Sequence, residues 1–182
     1  MSEMFSRRVF MRGLGVVAAA AALTACSSTN EAVNQALIEG AVGGIVAADC
    51  KIGRMTYWAA NATVPVYEIS FRIVMTNVSL KPVTLSGDNF ATTLDGTPIP
   101  PFNFSARDVG DADIWRTYDS LTIRPGEERS IALAYEISQP TYDSWYKSSR
   151  TVAVSFTCGN QRVTYTKNSR SDEITVSDIE TL

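Results

Sequence analysis

The sequence predicts an all-β fold, an antiparallel β-sandwich, and three observations support this prediction. Apolar and polar residues alternate over several short segments, most clearly over residues 65–76. The turn-forming pairs Asp95-Gly96, Pro125-Gly126 and Gly159-Asn160 separate such segments. After the N-terminal region, almost no segment has the apolar spacing of a helix. Short strands joined by frequent turns are typical of a sandwich.

The first 25 residues have the features of a signal peptide that is removed by cleavage. Arg7 and Arg8 precede an apolar run at residues 13–23, which is shorter than the roughly 20 residues that span a bilayer. The arginine pair, followed by Phe10, resembles the twin-arginine export signal. The run ends in Leu23-Thr24-Ala25-Cys26, which resembles the lipobox of bacterial lipoproteins and implies that Cys26 is lipidated.

These features predict three parts: a signal peptide at 1–25, a lipid anchor and short tether at 26–42, and a sandwich domain at 43–182. Gly40, Gly43 and Gly44 interrupt any helix in the tether, so we expect the domain to begin near Gly43. The lipobox resemblance implies an extracytoplasmic protein that a lipid holds at the bacterial cell membrane.

The strands can be predicted in chain order from the alternation of apolar residues. The first has Val46, Ala48, Cys50 and Ile52 on its buried face. The most regular strands are residues 65–76 and 131–137, and the region 102–120 is the least regular. Shorter strands are predicted at residues 82–85, 89–94, 121–123 and 174–176.

The hairpin around Gly159-Asn160 also has a predicted register. Phe156 should face Val163 and Val154 should face Tyr165, because only this register keeps the apolar side chains of both strands on one face. Cys158 and Cys50 then both lie in the buried phase of their strands. We expect a disulfide between them in an oxidising compartment; the alternative is a pair of buried thiols.

Three short motifs extend across the domain in a characteristic order. They are Thr76-Asn77-Val78-Ser79 at a strand end, Phe90 with Leu94-Asp95-Gly96, and residues 121–128 with their Pro-Gly-Glu turn. This order resembles the immunoglobulin-like "immunoprotective extracellular" domain of bacterial lipoproteins. The resemblance covers roughly residues 45–167 and implies an immunoglobulin-like sandwich outside the cytoplasm. It implies no catalytic residue.

Composition excludes several classes of function. The net charge is −3, and removal of residues 1–25 makes it more negative, whereas nucleic-acid binding requires a basic surface. The chain contains no histidine, which excludes hydrolases that depend on a histidine base or a histidine-bound metal. We therefore expect no nucleic-acid partner and no cofactor.

Two groups of side chains remain as candidate sites. Aromatic residues in predicted loops suit contacts with a protein or a glycan, and the alternative is that they close the ends of the sandwich as a minor core. They are Trp115, Tyr118, Tyr142, Trp145 and Tyr146. Asp108, Asp111 and Asp113 suggest a calcium loop, but their spacing differs from an EF-hand and favours a solvated acidic loop.

These observations favour a non-catalytic binding or structural module of the cell envelope, held at the membrane by its lipid. The partner would be an envelope protein or a glycan. One alternative is a glycosidase-like enzyme that uses two carboxylates, drawn from the three aspartates above and Glu136. A less favoured alternative is a metal or redox accessory protein, since the chain lacks histidine and paired thiolate ligands.

Overall fold

The computed structural model describes residues 40–57, 63–101, 103–109 and 115–182. Strands make up more than half of this part of the chain, which also has one short helix, α1 (Gln139–Asp143), and one 3-10 turn at Gly87–Asn89. The strands are β1 (Ile45–Tyr57), β2 (Val66–Asn77), β3 (Val83–Ser86), β4 (Phe90–Leu94), β5 (Thr97–Ile99), β6 (Asn103–Asp108), β7 (Arg116–Thr117), β8 (Ser120–Ile123), β9 (Glu128–Glu136), β10 (Thr151–Cys158), β11 (Gln161–Asn168), β12 (Ile174–Val176) and β13 (Glu180–Thr181).

The strands form two antiparallel sheets, which confirms the predicted all-β sandwich. One sheet has the order β1-β2-β9-β6-β7, and the other has the order β12-β11-β10-β4-β5, with β13 also paired to β11. Within them, β1-β2-β9-β6 and β4-β10-β11 reproduce the A-B-E-D and C-F-G sheets of a constant-type immunoglobulin domain. A separate two-stranded ribbon joins β3 to β8.

The core lies between the two sheets and is built largely from the alternating residues that the sequence indicated. Phe71 of β2 reaches across to Phe90 of β4 and Tyr165 of β11, with ring centroids 6.1 and 5.8 Å apart. Such tilted ring pairs add to the stabilisation that burial of the rings provides. The hairpin register is confirmed, because Phe156 pairs with Val163 and Val154 with Tyr165.

The first strand differs from its prediction because it contains a β-bulge. The register with β2 shifts between Ala48 and Lys51, and Asp49 has a left-handed φ of 48°. The extra residue shifts the alternation of inward and outward side chains by one position. Ala47, before the bulge, and Cys50, after it, therefore both pack against the core. The predicted phase is therefore correct for Cys50 but not for Ala48.

Strand β6 was not recognised in the sequence, which showed residues 102–120 as irregular. In the structure, Phe104 and Ala106 of β6 face the core and pair with Leu133 and Ile131 of β9. Proline residues before the strand and a polar segment after it obscure an alternation of only two inward residues. This strand completes the A-B-E-D sheet.

The two ends of the sandwich are formed by different segments of the chain. At the proximal end the described chain begins at Gly40, and Gly43 donates its backbone N–H to the side chain of Gln161. Strand β1 runs from this end to the distal end, where Tyr57 pairs with Val66. Its 13 residues correspond to a length of about 40 Å.

Candidate functional site

The distal end is closed by α1 and the loop after it. The hydroxyl of Ser138 accepts a hydrogen bond from the backbone N–H of Thr141 and caps the helix, while Pro140 fits its first turn. The backbone N–H of Ile137 donates to the carbonyl of Tyr67, which fixes the start of the helix beside β2. Trp145 then turns inward and is only 2% exposed. It forms part of the core and is not a binding-loop residue.

Four side chains at this end form a continuous stack, which we call the distal ladder: Tyr67, Tyr142, Arg54 and Tyr146. The rings of Tyr67 and Tyr142 are 4.9 Å apart. The Arg54 guanidinium lies 4.3 Å from the Tyr142 ring and 4.6 Å from the Tyr146 ring. Arg54 also donates a hydrogen bond of 2.6 Å to the carbonyl oxygen of Tyr142.

Tyr146 is the outermost member of the ladder and is 61% exposed. The guanidinium beneath it restrains the ring. A partner that bound the ring would therefore lose little free energy to ordering it. A rigid aromatic ring over an arginine has the composition of a protein-interface hot spot. Tyr142 is half-buried and packs against the core, so it supports the ladder from below.

Trp115 occupies a different place, on the outer surface of the first sheet. Its ring lies between two guanidinium groups, 5.6 Å from that of Arg72 and 5.0 Å from that of Arg107. The chain reaches this position because β7 pairs with β6 at the edge of the sheet. Tyr118, three residues further along, is half-buried against the core. Of the five predicted aromatics, only Tyr146 is exposed.

Of the three aspartates considered as a calcium loop, only Asp108 lies in the described part of the chain. Asp108 makes an ion pair with Arg129, whose guanidinium also contacts Glu127 at 2.6 Å. Asp111 and Asp113 lie outside the described residues. Within the described ranges, no group of three or more histidine, cysteine, aspartate or glutamate residues could hold a metal ion.

A polar pocket lies beside the Asp108–Arg129 ion pair, at the edge formed by β6 and β7. Arg107, Arg116 and Tyr118 contribute to its lining. Its volume is about 170 Å³, which is below the several hundred Å³ of typical small-molecule sites. The pocket thus offers room for a small charged group but not for a whole sugar or nucleotide.

The carboxylate pair required by a glycosidase is not formed by Asp108 and Glu136. Asp108 pairs with Arg129 at one end of β9, and Glu136 lies at the other end. Seven residues of strand separate these positions, or about 23 Å, whereas glycosidase carboxylates lie about 5–10 Å apart. The nearest strand partner of Glu136 is instead Glu68, directly opposite on β2.

Glu68 was not identified from the sequence as a notable residue. It is 6% exposed although it belongs to the outward-facing set of β2, and burial raises the pKa of its carboxyl group above the ordinary value, partly offset by the charge of Arg72. No sequence signal distinguishes it from the other polar residues of that face. Arg54 was missed for a related reason, because its role depends on a helix that is distant in the chain.

The prediction of a disulfide between Cys50 and Cys158 is wrong, because both residues are free thiols in the structure. Cys158 lies opposite Gln161, whereas Cys50 lies beside Tyr165, four residues further along β11. That separation is about 13 Å, and a disulfide requires Cα atoms within about 7 Å. Both residues are in the buried layer, as predicted, but at different levels along the strands.

The export and anchor residues Arg7, Arg8 and Cys26 lie outside the described part of the chain. Among the residues that the structure does describe, no helix is long and apolar enough to cross a membrane.

The sequence matches no protein-family model and no curated protein sequence. Several solved structures share a distant similarity. An uncharacterised β-sandwich protein from Clostridium difficile 630 aligns with a TM-score of 0.40 and 15% identity, over 68% of this chain and 83% of that one. The yjhA protein from Bacillus subtilis aligns with a TM-score of 0.39 and 16% identity, over 62% of this chain and 73% of that one. A protein from Archaeoglobus fulgidus aligns with a TM-score of 0.33 and 12% identity, over 74% of this chain and 98% of that one. These TM-scores are too low to support the fold assignment, which depends instead on the strand orders of the two sheets.

Proposed function

We propose that this chain is a lipid-anchored, extracytoplasmic binding module of a bacterial cell envelope, and that it is not an enzyme. The lipobox-like Leu23-Thr24-Ala25-Cys26 supports attachment through Cys26, and the Arg7-Arg8 pair supports export by the twin-arginine route. The motif order from Asn77 to Glu128 supports membership of the "immunoprotective extracellular" type of domain.

The observation that carries the proposal is the position of the distal ladder. The described chain begins at the proximal end, and Tyr146 lies towards the other end, where it stacks on Arg54 in the last third of β1. A lipid on Cys26 would hold the proximal side near the bilayer, so the exposed ring would face away from it. A restrained tyrosine over an arginine is the composition that protein interfaces favour, so the proposed partner is another envelope protein.

Site-specific photocrosslinking tests this contact. A photoreactive phenylalanine analogue replaces Tyr146 in the exporting host, and the control position is Val176, which is 51% exposed on β12. We expect a discrete crosslinked protein from position 146 and none from position 176. Equal products at both positions would contradict the proposal, and a product whose added mass is removed by glycan-degrading enzymes would identify a glycan partner instead.

Membrane fractionation tests the anchor. Cys26→Ala should release the protein from membranes or leave an unprocessed precursor. Processing and membrane attachment like those of the wild type would refute the lipobox assignment.

The export route is tested separately. Arg7→Lys together with Arg8→Lys keeps the charge but should stop export, because the twin-arginine signal requires arginine at both positions. Normal export of this variant would indicate the general secretory route.

A further inference from the structure

The turn between β2 and β3 presents the most exposed large apolar side chain in the described part of the molecule. Leu80 is 95% exposed, and Lys81 and Pro82 after it are also exposed. The turn is held rigidly, because the buried side chain of Asn77 donates to the carbonyl of Lys81 at 2.8 Å and accepts the backbone N–H of Ser79 at 2.9 Å. Leu80 therefore projects from a fixed support.

A second turn lies directly beside the first. The backbone N–H of Gly126 donates to the carbonyl of Asn77 at 2.8 Å, which aligns the turn after β8 with the turn after β2. Arg124 and Pro125 are exposed there. Residues 78–82 and 124–126 contain no acidic residue. The next residue, Glu127, accepts the backbone N–H of Arg124 at 2.7 Å and forms an ion pair with Arg129. We call the exposed set the proximal patch: Leu80, Lys81, Pro82, Arg124 and Pro125.

The proximal patch adjoins the point where the described chain begins. The backbone N–H of Val78 donates to the carbonyl of Gly44 at 2.9 Å. A Cβ atom on Gly44 would lie 2.7 Å from that of Ser79, so the two segments are in close contact. Residues 27–39 separate Cys26 from Gly40. A chain of that length reaches at most about 45 Å even when fully extended.

We propose that the proximal patch contacts the surface of an anionic phospholipid bilayer. Leu80 would enter the interfacial region, while Lys81 and Arg124 would lie at the level of the lipid phosphates. One protruding leucine, two prolines and two basic residues fit that surface, because the adjacent carboxylate of Glu127 is paired with Arg129. The inference relies on the proposed anchor at Cys26, because one leucine and two basic residues bind too weakly to hold the protein alone. The contact orients the domain with its distal ladder away from the membrane.

Lipid-based quenching of tryptophan tests the contact directly. The chain from Cys26 to Leu182 contains every residue that the structure describes, and its Cys26 thiol is coupled to a maleimide-bearing lipid in vesicles with brominated acyl chains. The probe is Leu80→Trp, and the matched control is Val64→Trp, which replaces a residue 67% exposed at the distal end. On vesicles that contain phosphatidylglycerol, we expect bromine to lower the emission of Leu80→Trp below that of Val64→Trp, because the three native tryptophans contribute the same background to both.

Charge variants then test the basic residues. In the Leu80→Trp background, Lys81→Ser and Arg124→Ser should each lower the contact equilibrium by roughly fivefold. Equal quenching at positions 80 and 64 would overturn the proposal. Undiminished quenching on vesicles without anionic lipid would overturn its electrostatic part.

This experiment can fail separately from the proposed function. Since the lipid is attached chemically, the outcome of the quenching experiment does not depend on whether the cell lipidates Cys26. The fractionation of Cys26→Ala decides that separate question. Far-UV circular dichroism and the thermal midpoint confirm that Leu80→Trp is folded, which we expect because Leu80 makes almost no packing contacts that the change could disturb.

Discussion

The side-chain amide of Asn77 donates a hydrogen bond of 2.8 Å to the backbone carbonyl of Ile123 and so joins the end of β2 to the end of β8. The same amide nitrogen also donates to the carbonyl of Lys81, and the amide oxygen of Asn77 accepts the backbone N–H of Ser79. Asn77 is fully buried. One side chain therefore connects three segments at the proximal end, which gives a physical reason for an asparagine at this strand end.

Replacement of Asn77 by alanine should lower the free energy of unfolding by about 3 kcal/mol, since it leaves several buried backbone groups without partners. The matched control is Asn89→Ala, which removes a half-buried asparagine that donates to the carbonyl of Thr157 and accepts the backbone N–H of Ser86, and it should cost about 1.5 kcal/mol. Urea unfolding measures both values. Equal losses would show that Asn77 has no special role.

Gly43 is required by its backbone and by its surroundings. Its φ of 58° is left-handed, and a Cβ atom would lie 2.5 Å from the sulfur of Cys158 and 2.8 Å from its carbonyl oxygen. Gly43→Ala should therefore destabilise the domain by more than about 2 kcal/mol, or roughly twice the cost at Gly159, which has a φ of 61° but open space around it. Thermal unfolding of the two variants makes the comparison. A milder effect at Gly43 than at Gly159 would contradict the close packing.

Much of the fold could be predicted from the sequence because each major strand has one buried face. Residues 65–76 alternate so regularly that β2 is correct to within one residue at each end. The register of the β10–β11 hairpin followed from matching its apolar faces. The bulge at Asp49 could not be predicted, because a left-handed residue in a strand leaves no clear pattern in sequence.

The site was harder to predict than the fold. Trp115 and Trp145 both lie in predicted loops, yet one covers the outer surface of a sheet and the other fills the core. Their difference depends on tertiary contacts that no local pattern encodes. The same holds for Arg54, which meets Tyr142 only after β1 and α1 have come together at the distal end.

The two cysteines of the sandwich should behave as inert thiols. Burial raises the pKa of the Cys50 thiol to about 12 and also raises that of Cys158, so little reactive thiolate exists near neutral pH. In the soluble domain without Cys26, we expect a thiol reagent to react slowly in the native state and to modify both residues once urea is added, without any reductant. Absence of reactive thiols in the unfolded, unreduced protein would restore the disulfide.

Glu68 makes stability depend on pH in a direction that can be derived. Burial raises the pKa of its carboxyl group above the ordinary 4.5, and the charge of Arg72 offsets part of this rise. Below pH 4.5 the group is protonated in both the folded and the unfolded state, and folding carries no penalty. As the pH rises through 4.5 towards the raised pKa, the unfolded chain loses this proton before the folded one does, so stability is lost.

Glu68→Gln removes this ionisation and should become progressively more stable than the wild type as the pH rises from about 4 to 7. Urea unfolding at several pH values measures the difference between the two proteins. Its slope with pH is informative even if the amide itself packs better or worse than the acid, because such an effect adds a constant. Glu136→Gln serves as the control and should keep the slope, since it changes the residue opposite but leaves the burial of Glu68 in place. A difference between wild type and Glu68→Gln that does not vary with pH would mean that Glu68 ionises as freely in the fold as in water.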